Sequence, residues 1–116
     1  MGIQLQNVVI DAADAGKLAG FWAAATGWEA ADWSSAEEAV VRNPDGGPHL
    51  YFMRVPEARA GKNRVHLDVG PAEGGSASRE IERLTGLGAR VLSEHESHTV
   101  LADPEGNEFC VTGERD

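Results

Sequence analysis

The chain of 116 residues is predicted to be an α+β protein built from two βαβββ modules. Three observations predict this. A turn peptide occurs twice, as Asn43-Pro44-Asp45-Gly46-Gly47 and, 60 residues later, as Asp103-Pro104-Glu105-Gly106-Asn107. Each copy feeds a run rich in aromatic or β-branched residues, His49-Leu50-Tyr51-Phe52-Met53-Arg54-Val55 after the first and Glu108-Phe109-Cys110-Val111-Thr112 after the second. Each half also carries one helical pattern closed by a glycine, Gly27 and then Gly88. In the turns, Asn or Asp before Pro accepts a hydrogen bond from backbone further on, Pro sets the first corner, and Gly takes the corner of positive φ. Two such turns half a chain apart read as one supersecondary unit used twice.

The elements follow in order. Ile3 to Asp11, with Leu5, Val8, Val9 and Ile10, reads as the first strand. Asp14 can cap a helix to about Thr26, whose Leu18, Phe21, Trp22 and Ala25 share one face. Trp28-Glu29-Ala30-Ala31 and Glu38-Ala39-Val40-Val41-Arg42 supply two short strands before the one that follows the first turn. The polar segment 56–63 connects the modules, which span about 1–56 and about 63–116 of a single domain. The second module repeats the order: a strand over Arg64-Val65-His66-Leu67-Asp68-Val69 and a helix from Ser76 to about Leu87 with Ala77, Ile81 and Leu84 inward. Strands over 90–94, 99–102 and 108–112 complete it. His95-Glu96-Ser97-His98 reads as a polar hairpin connection rather than a metal site.

Composition narrows the function. A net charge of −9 with no basic stripe argues against nucleic acid as partner, because nothing would release phosphate counterions. An acidic surface keeps a small protein in solution, and an acidic cleft also favours cationic small molecules. One cysteine, Cys110, excludes an intramolecular disulfide and suits a reducing, cytoplasmic setting. No apolar stretch reaches membrane-spanning length, and no signal-peptide pattern occurs. Nucleophile-elbow, phosphate-loop and paired-cysteine motifs are all missing.

Two βαβββ units in a chain of this length resemble the vicinal oxygen chelate superfamily of glyoxalases, bleomycin-resistance proteins and ring-cleaving dioxygenases. The resemblance is to its small bacterial glyoxalase-like members and covers nearly the whole chain. It is carried by Val8-Val9-Ile10-Asp11, Leu18-Ala19-Gly20-Phe21-Trp22, Asn43-Pro44-Asp45-Gly46-Gly47-Pro48, Gly61-Lys62-Asn63-Arg64-Val65-His66-Leu67-Asp68 and Asp103-Pro104-Glu105-Gly106-Asn107-Glu108-Phe109-Cys110. It implies a cupped mixed sheet with helices outside, a cleft for a small organic molecule, and a homodimer. In catalytic members it also implies a divalent metal held from the first and last strands of each module.

Carried over position by position, that metal pattern is largely missing. His66 matches the first strand of the second module. Its counterpart is Asn7 when counted back from Phe21-Trp22 and Val9 when Val8-Asp11 is matched to Val65-Asp68. Asn7 is preferred, because its offset of 59 to His66 lies closer to the 60 of the repeated turn than does the 57 of Val9. The turns used as rulers place Leu50 and Cys110 at the last-strand positions. Leu50 cannot coordinate, and Cys110 stands where a carboxylate is usual.

The reading is therefore a small-molecule-binding protein without a resident metal, sequestering a cationic or aromatic compound. Asn7, Trp33, Leu50, Phe52, His66, Asp68 and Cys110 are expected to line its site. Trp33 enters because it stands among polar residues with no evident core role, and Phe52 because it shares strand parity with Leu50. The alternative is a lyase or isomerase of the vicinal oxygen chelate type, with His66 as general base or with His66 and Glu108 holding a displaced divalent metal. Strand parity aligns Asp68 with His66 and Glu108 with Cys110. Cys110 itself is expected to be a small strand hydrophobe rather than a nucleophile.

Overall fold

The computed structural model describes residues 1–114 and divides the chain into two compact units, Met1–Arg59 and Ala60–Asp116. The first unit runs β1 (Asn7–Ala12), α1 (Ala15–Thr26), β2 (Glu29–Ala30), β3 (Glu38–Arg42) and β4 (His49–Arg54). Its sheet has the order β1-β4-β3-β2, with β1 parallel to β4 and the other pairs antiparallel. The second unit runs β5 (Leu67–Val69), α2 (Ala77–Leu87), β6 (Arg90–Glu94), β7 (His98–Ala102) and β8 (Glu108–Thr112). Its order, β5-β8-β7-β6 with β5 parallel to β8, is the same topology again. Two βαβββ modules of α+β class are thus present. Among the described residues no helix is long and apolar enough to cross a membrane.

Both helices start and stop where local chemistry dictates. Asp14 accepts from the Lys17 N–H at 3.0 Å and caps α1; Ser76 accepts from the Arg79 N–H at 3.2 Å and caps α2. Gly27 ends α1 at φ 77° and Gly88 ends α2 at φ 121°, conformations that a side chain would strain. Leu18, Phe21 and Trp22 of α1 are buried, and α1 packs on β3 and β4. The Phe21 and Trp22 rings meet edge to face at 5.3 Å.

Strand alternation then sorts each sheet into a covered face and an open one. In the first unit Val8, Ile10 and Ala12 of β1, with Leu50 and Phe52 of β4, lie on the covered side, while Asn7, Val9 and Asp11 are exposed. In the second unit Leu101, Phe109 and Val111 are at most 1 % exposed and form the covered side, with Thr99.

Strand β2 keeps only Glu29–Ala30 of the predicted Trp28–Ala31, β4 ends at Arg54 rather than Val55, and β1 and β5 begin well after their predicted starts. The strand expected from Ile3 begins at Asn7, because β4 begins at His49, whose N–H already bonds the Gln6 carbonyl; Ile3 and Leu5 have no strand beside them and are exposed. The strand expected from Arg64 begins at Leu67, where pairing with Phe109 starts, and Val65 is exposed. The His95–His98 connection is a hairpin closed by the His95 N–H to the His98 carbonyl at 2.9 Å, with the two imidazoles stacked 4.5 Å apart.

The repeated turns share their first half and differ in their second. Asn43 Oδ1 accepts from the Asp45 N–H, and Asp103 Oδ1 accepts from the Glu105 N–H, both at 2.9 Å. After that, the Asp103 N–H reaches the Asn107 carbonyl at 2.9 Å, whereas the Asn43 N–H is taken by His49 Nδ1 at 2.9 Å. The cause is length: residues 43–48 separate β3 from β4, and only 103–107 separate β7 from β8. The extra residue shifts β4 by one place relative to β8, and a shift of one place exchanges the faces of a strand.

Candidate functional site

The second unit gathers three reactive side chains on its open face. The parallel register sets Asp68 beside Cys110, and His66, two residues earlier, points to the same side. His66 Nδ1 lies 3.3 Å from Asp68 Oδ1 and 4.0 Å from Cys110 Sγ, and the donor atoms of all three residues lie within 4.8 Å of one another. His66 and Asp68 are exposed, while Cys110 is 8 % exposed and floors the cluster. Burial pushes the Cys110 thiol above its ordinary value, and the negative charge and hydrogen bond of Asp68 push it further, with Lys62 opposing. Its burial in β8 is that of a packed strand cysteine.

Glu108 has a different partner. Its Oε2 accepts the Asn63 N–H at 3.1 Å, tying the connection to β8, and Glu108 is outside the cluster of three. The carboxylate within reach of His66 is Asp68.

In the first unit the longer turn decides which residues face outward. Tyr51 pairs with Val9 as Cys110 pairs with Asp68, so Tyr51, not Leu50, is the counterpart of Cys110. Asn7 is the counterpart of His66 at the offset of 59, and the register extends that same offset to Val9 and Asp68 and to Tyr51 and Cys110. Leu50 is 7 % exposed and Phe52 fully buried, so the open face presents Asn7, Val9 and Tyr51 instead of these two. The turns were rulers of unequal length, and comparing them residue by residue would have revealed the slip.

Beside Tyr51 stands Trp33, half exposed, with ring centroids 6.4 Å apart and a 49° tilt. Glu38 adjoins them. A hydrogen bond to Glu38 raises the Tyr51 hydroxyl above its ordinary pKa, with desolvation and the charge of Glu38 acting the same way. Sequence reasoning singled out Trp33 but not the neighbouring Tyr51 and Glu38, because only the pairing of β3 with β4 brings Glu38 to Tyr51. Trp22 is a core residue, and Trp28 is half-buried just before β2.

The sequence profile of the glyoxalase-like domain matches residues 7–112, almost the whole chain. The chain belongs to the glyoxalase-like domain family. It is thereby a member of the vicinal oxygen chelate superfamily. Solved structures show the same fold. A possible glyoxalase from Bacillus cereus aligns with TM-score 0.75 and 19 % identity, over 96 % of this chain and 99 % of that one. The fosfomycin resistance protein FosX from Mesorhizobium loti aligns with TM-score 0.72 and 15 % identity, over 97 % and 92 %. A lactoylglutathione lyase from Agrobacterium tumefaciens aligns with TM-score 0.67 and 15 % identity, over 96 % and 93 %. No curated protein sequence matches the chain significantly.

Proposed function

We propose that this glyoxalase-like protein binds a small cationic or aromatic organic molecule, without the metal-ligand set usual in catalytic relatives. The observation that carries the reading is the contact between exposed Trp33 and half-buried Tyr51, with Glu38 bonded to the Tyr51 hydroxyl, in the first unit. A cation over an indole or phenol face gains about 0.5–2 kcal/mol, and a neighbouring carboxylate adds to its attraction. In the same unit, the counterparts of His66, Asp68 and Cys110 are Asn7, Val9 and Tyr51, which offer poor coordination. Asn7 contributes an amide for orientation. The net charge of −9 draws cations to the protein.

A thermal-shift screen of quaternary ammonium and planar cationic compounds tests the reading, followed by calorimetric titration of the best compound. Binding should weaken about tenfold in Trp33→Ala and in Tyr51→Ala. The reading fails if cations do not stabilise the protein, or if both variants bind as the parent does. The homodimer implied by family resemblance is checked in parallel by light scattering.

A second reading is favoured by one contact. Asp68 Oδ1 at 3.3 Å from His66 Nδ1 orients the imidazole as it would a general base, which supports a lyase or isomerase of the vicinal oxygen chelate type. Turnover of a carbonyl substrate that vanishes in His66→Gln, with substrate binding retained, would select this reading over sequestration.

A further inference from the structure

Strand pairing lays two rows of side chains across the open face of the first unit. The register sets Val40 beside Tyr51 and Tyr51 beside Val9 in one row, and Glu38 beside Met53 and Met53 beside Asp11 in the next. Residues paired across neighbouring strands share a face, and such strands lie about 4.8 Å apart. Glu38 and Asp11 therefore stand on the two strands that flank β4, with Met53 between them and the apolar row alongside. Val9 and Met53 are exposed, Val40 is buried, and the Trp33 ring meets that of Tyr51.

Uncommitted hydrogen-bonding groups are scarce around this aromatic pair. The Tyr51 hydroxyl is engaged by Glu38, and Nδ1 of His49, the preceding residue on that face of β4, accepts from the Asn43 N–H. Val40 and Val9 have no polar side-chain atom, and the Met53 thioether is a weak acceptor. A cation carrying N–H groups would shed water there without replacing each hydrogen bond, and a desolvated donor left unpaired is costly. A fully alkylated nitrogen has no such donors. Its methyl groups can rest on the rings and on Val9 and Met53, while its charge is attracted by the aromatic faces and by the Glu38 and Asp11 carboxylates.

We infer that the Tyr51 site selects cations without N–H groups, quaternary ammonium ions above all, over primary ammonium ions of the same skeleton. Val9 and Met53 are then specificity-determining residues, and Glu38 supplies charge rather than discrimination. This selectivity rests on the cation-binding reading proposed above and names the class of cation.

Calorimetric titration of the protein with benzylammonium and with benzyltrimethylammonium, at neutral pH and one ionic strength, tests it. The trimethyl ion should bind about tenfold more tightly or better. Met53→Gln places an amide acceptor in the apolar surround and should reduce that ratio to about threefold or less. Trp33→Ala should weaken the trimethyl ion more than the primary one. Equal binding of the two ions by the parent protein, or tighter binding of the primary ion, overturns the selectivity and leaves cation binding standing. An unchanged ratio in both variants overturns it as well, because the preference then arises elsewhere. If neither ion binds, the cation-binding reading fails and the selectivity falls with it. Should Met53→Gln not fold, Val9→Asn, also at an exposed position, makes the same comparison, with circular dichroism confirming its fold.

Discussion

Tyr51 in the first unit occupies the place that Cys110 occupies in the second: each sits on the last strand of its sheet, paired in parallel with Val9 and with Asp68 respectively. One copy of the position is a phenol beside an indole; the other is a thiol beside a carboxylate and an imidazole. The two units share a strand order and register and differ in the chemistry at this position.

This placement predicts unequal costs along β4. Phe52→Ala should destabilise the protein by about 3–5 kcal/mol, because it empties a fully buried site. Tyr51→Ala, on the open face, should cost about 1 kcal/mol or less. Urea unfolding of both variants checks the assignment of faces, which equal losses would contradict.

The two turns should respond differently to loss of their first side chain. Asp103 is 2 % exposed, and its carboxylate accepts from the backbone N–H groups of Glu105 and Asn107 and from the Asn107 side chain. Asp103→Ala leaves these donors without their acceptor and should cost about 2–3 kcal/mol. Asn43 is half-buried, and its own N–H is held by His49, so Asn43→Ala should cost about 1 kcal/mol. Thermal unfolding that ranks the two in reverse would refute the account.

Thr99 is fully buried, and its Oγ1 has no hydrogen-bond partner among the described residues. Thr99→Val keeps the shape and removes the unsatisfied hydroxyl, so the variant should be as stable as the parent or more stable by about 1 kcal/mol. Chemical denaturation measures this; a clear loss of stability would show that the hydroxyl is satisfied in solution.

The raised Cys110 thiol predicts slow alkylation. A pKa above the ordinary value leaves less thiolate at pH 8, so iodoacetamide should react more slowly than with a free cysteine, and the rate should climb as pH rises toward the shifted value. Asp68→Asn removes the neighbouring negative charge, lowers the thiol pKa and should accelerate the reaction at fixed pH. An unchanged rate in that variant would mean that burial alone governs the sulfur.

Much of the fold was legible because its signals are local. Asp14, Gly27, Ser76 and Gly88 cap their helices through contacts within a few residues, and Asn43 and Asp103 shape their turns in the same way. The outward-facing set was less legible. His66 and Asp68 are two places apart on one strand segment, so parity alone put them together. Glu38 meets Tyr51 only through a strand pair, and Leu50 exchanged roles with Tyr51 because one turn is a residue longer.

The sequence by itself determined two βαβββ modules, their helix boundaries and the membership of Trp22 in the core, since propensity, capping and alternation act over a few residues. Only the tertiary structure decided that Cys110 meets His66 from 44 positions away, and that the first module presents Tyr51 rather than Leu50. Pairing and register are properties of two strands at once, and a single inserted residue in a turn is enough to turn a face from solvent to core.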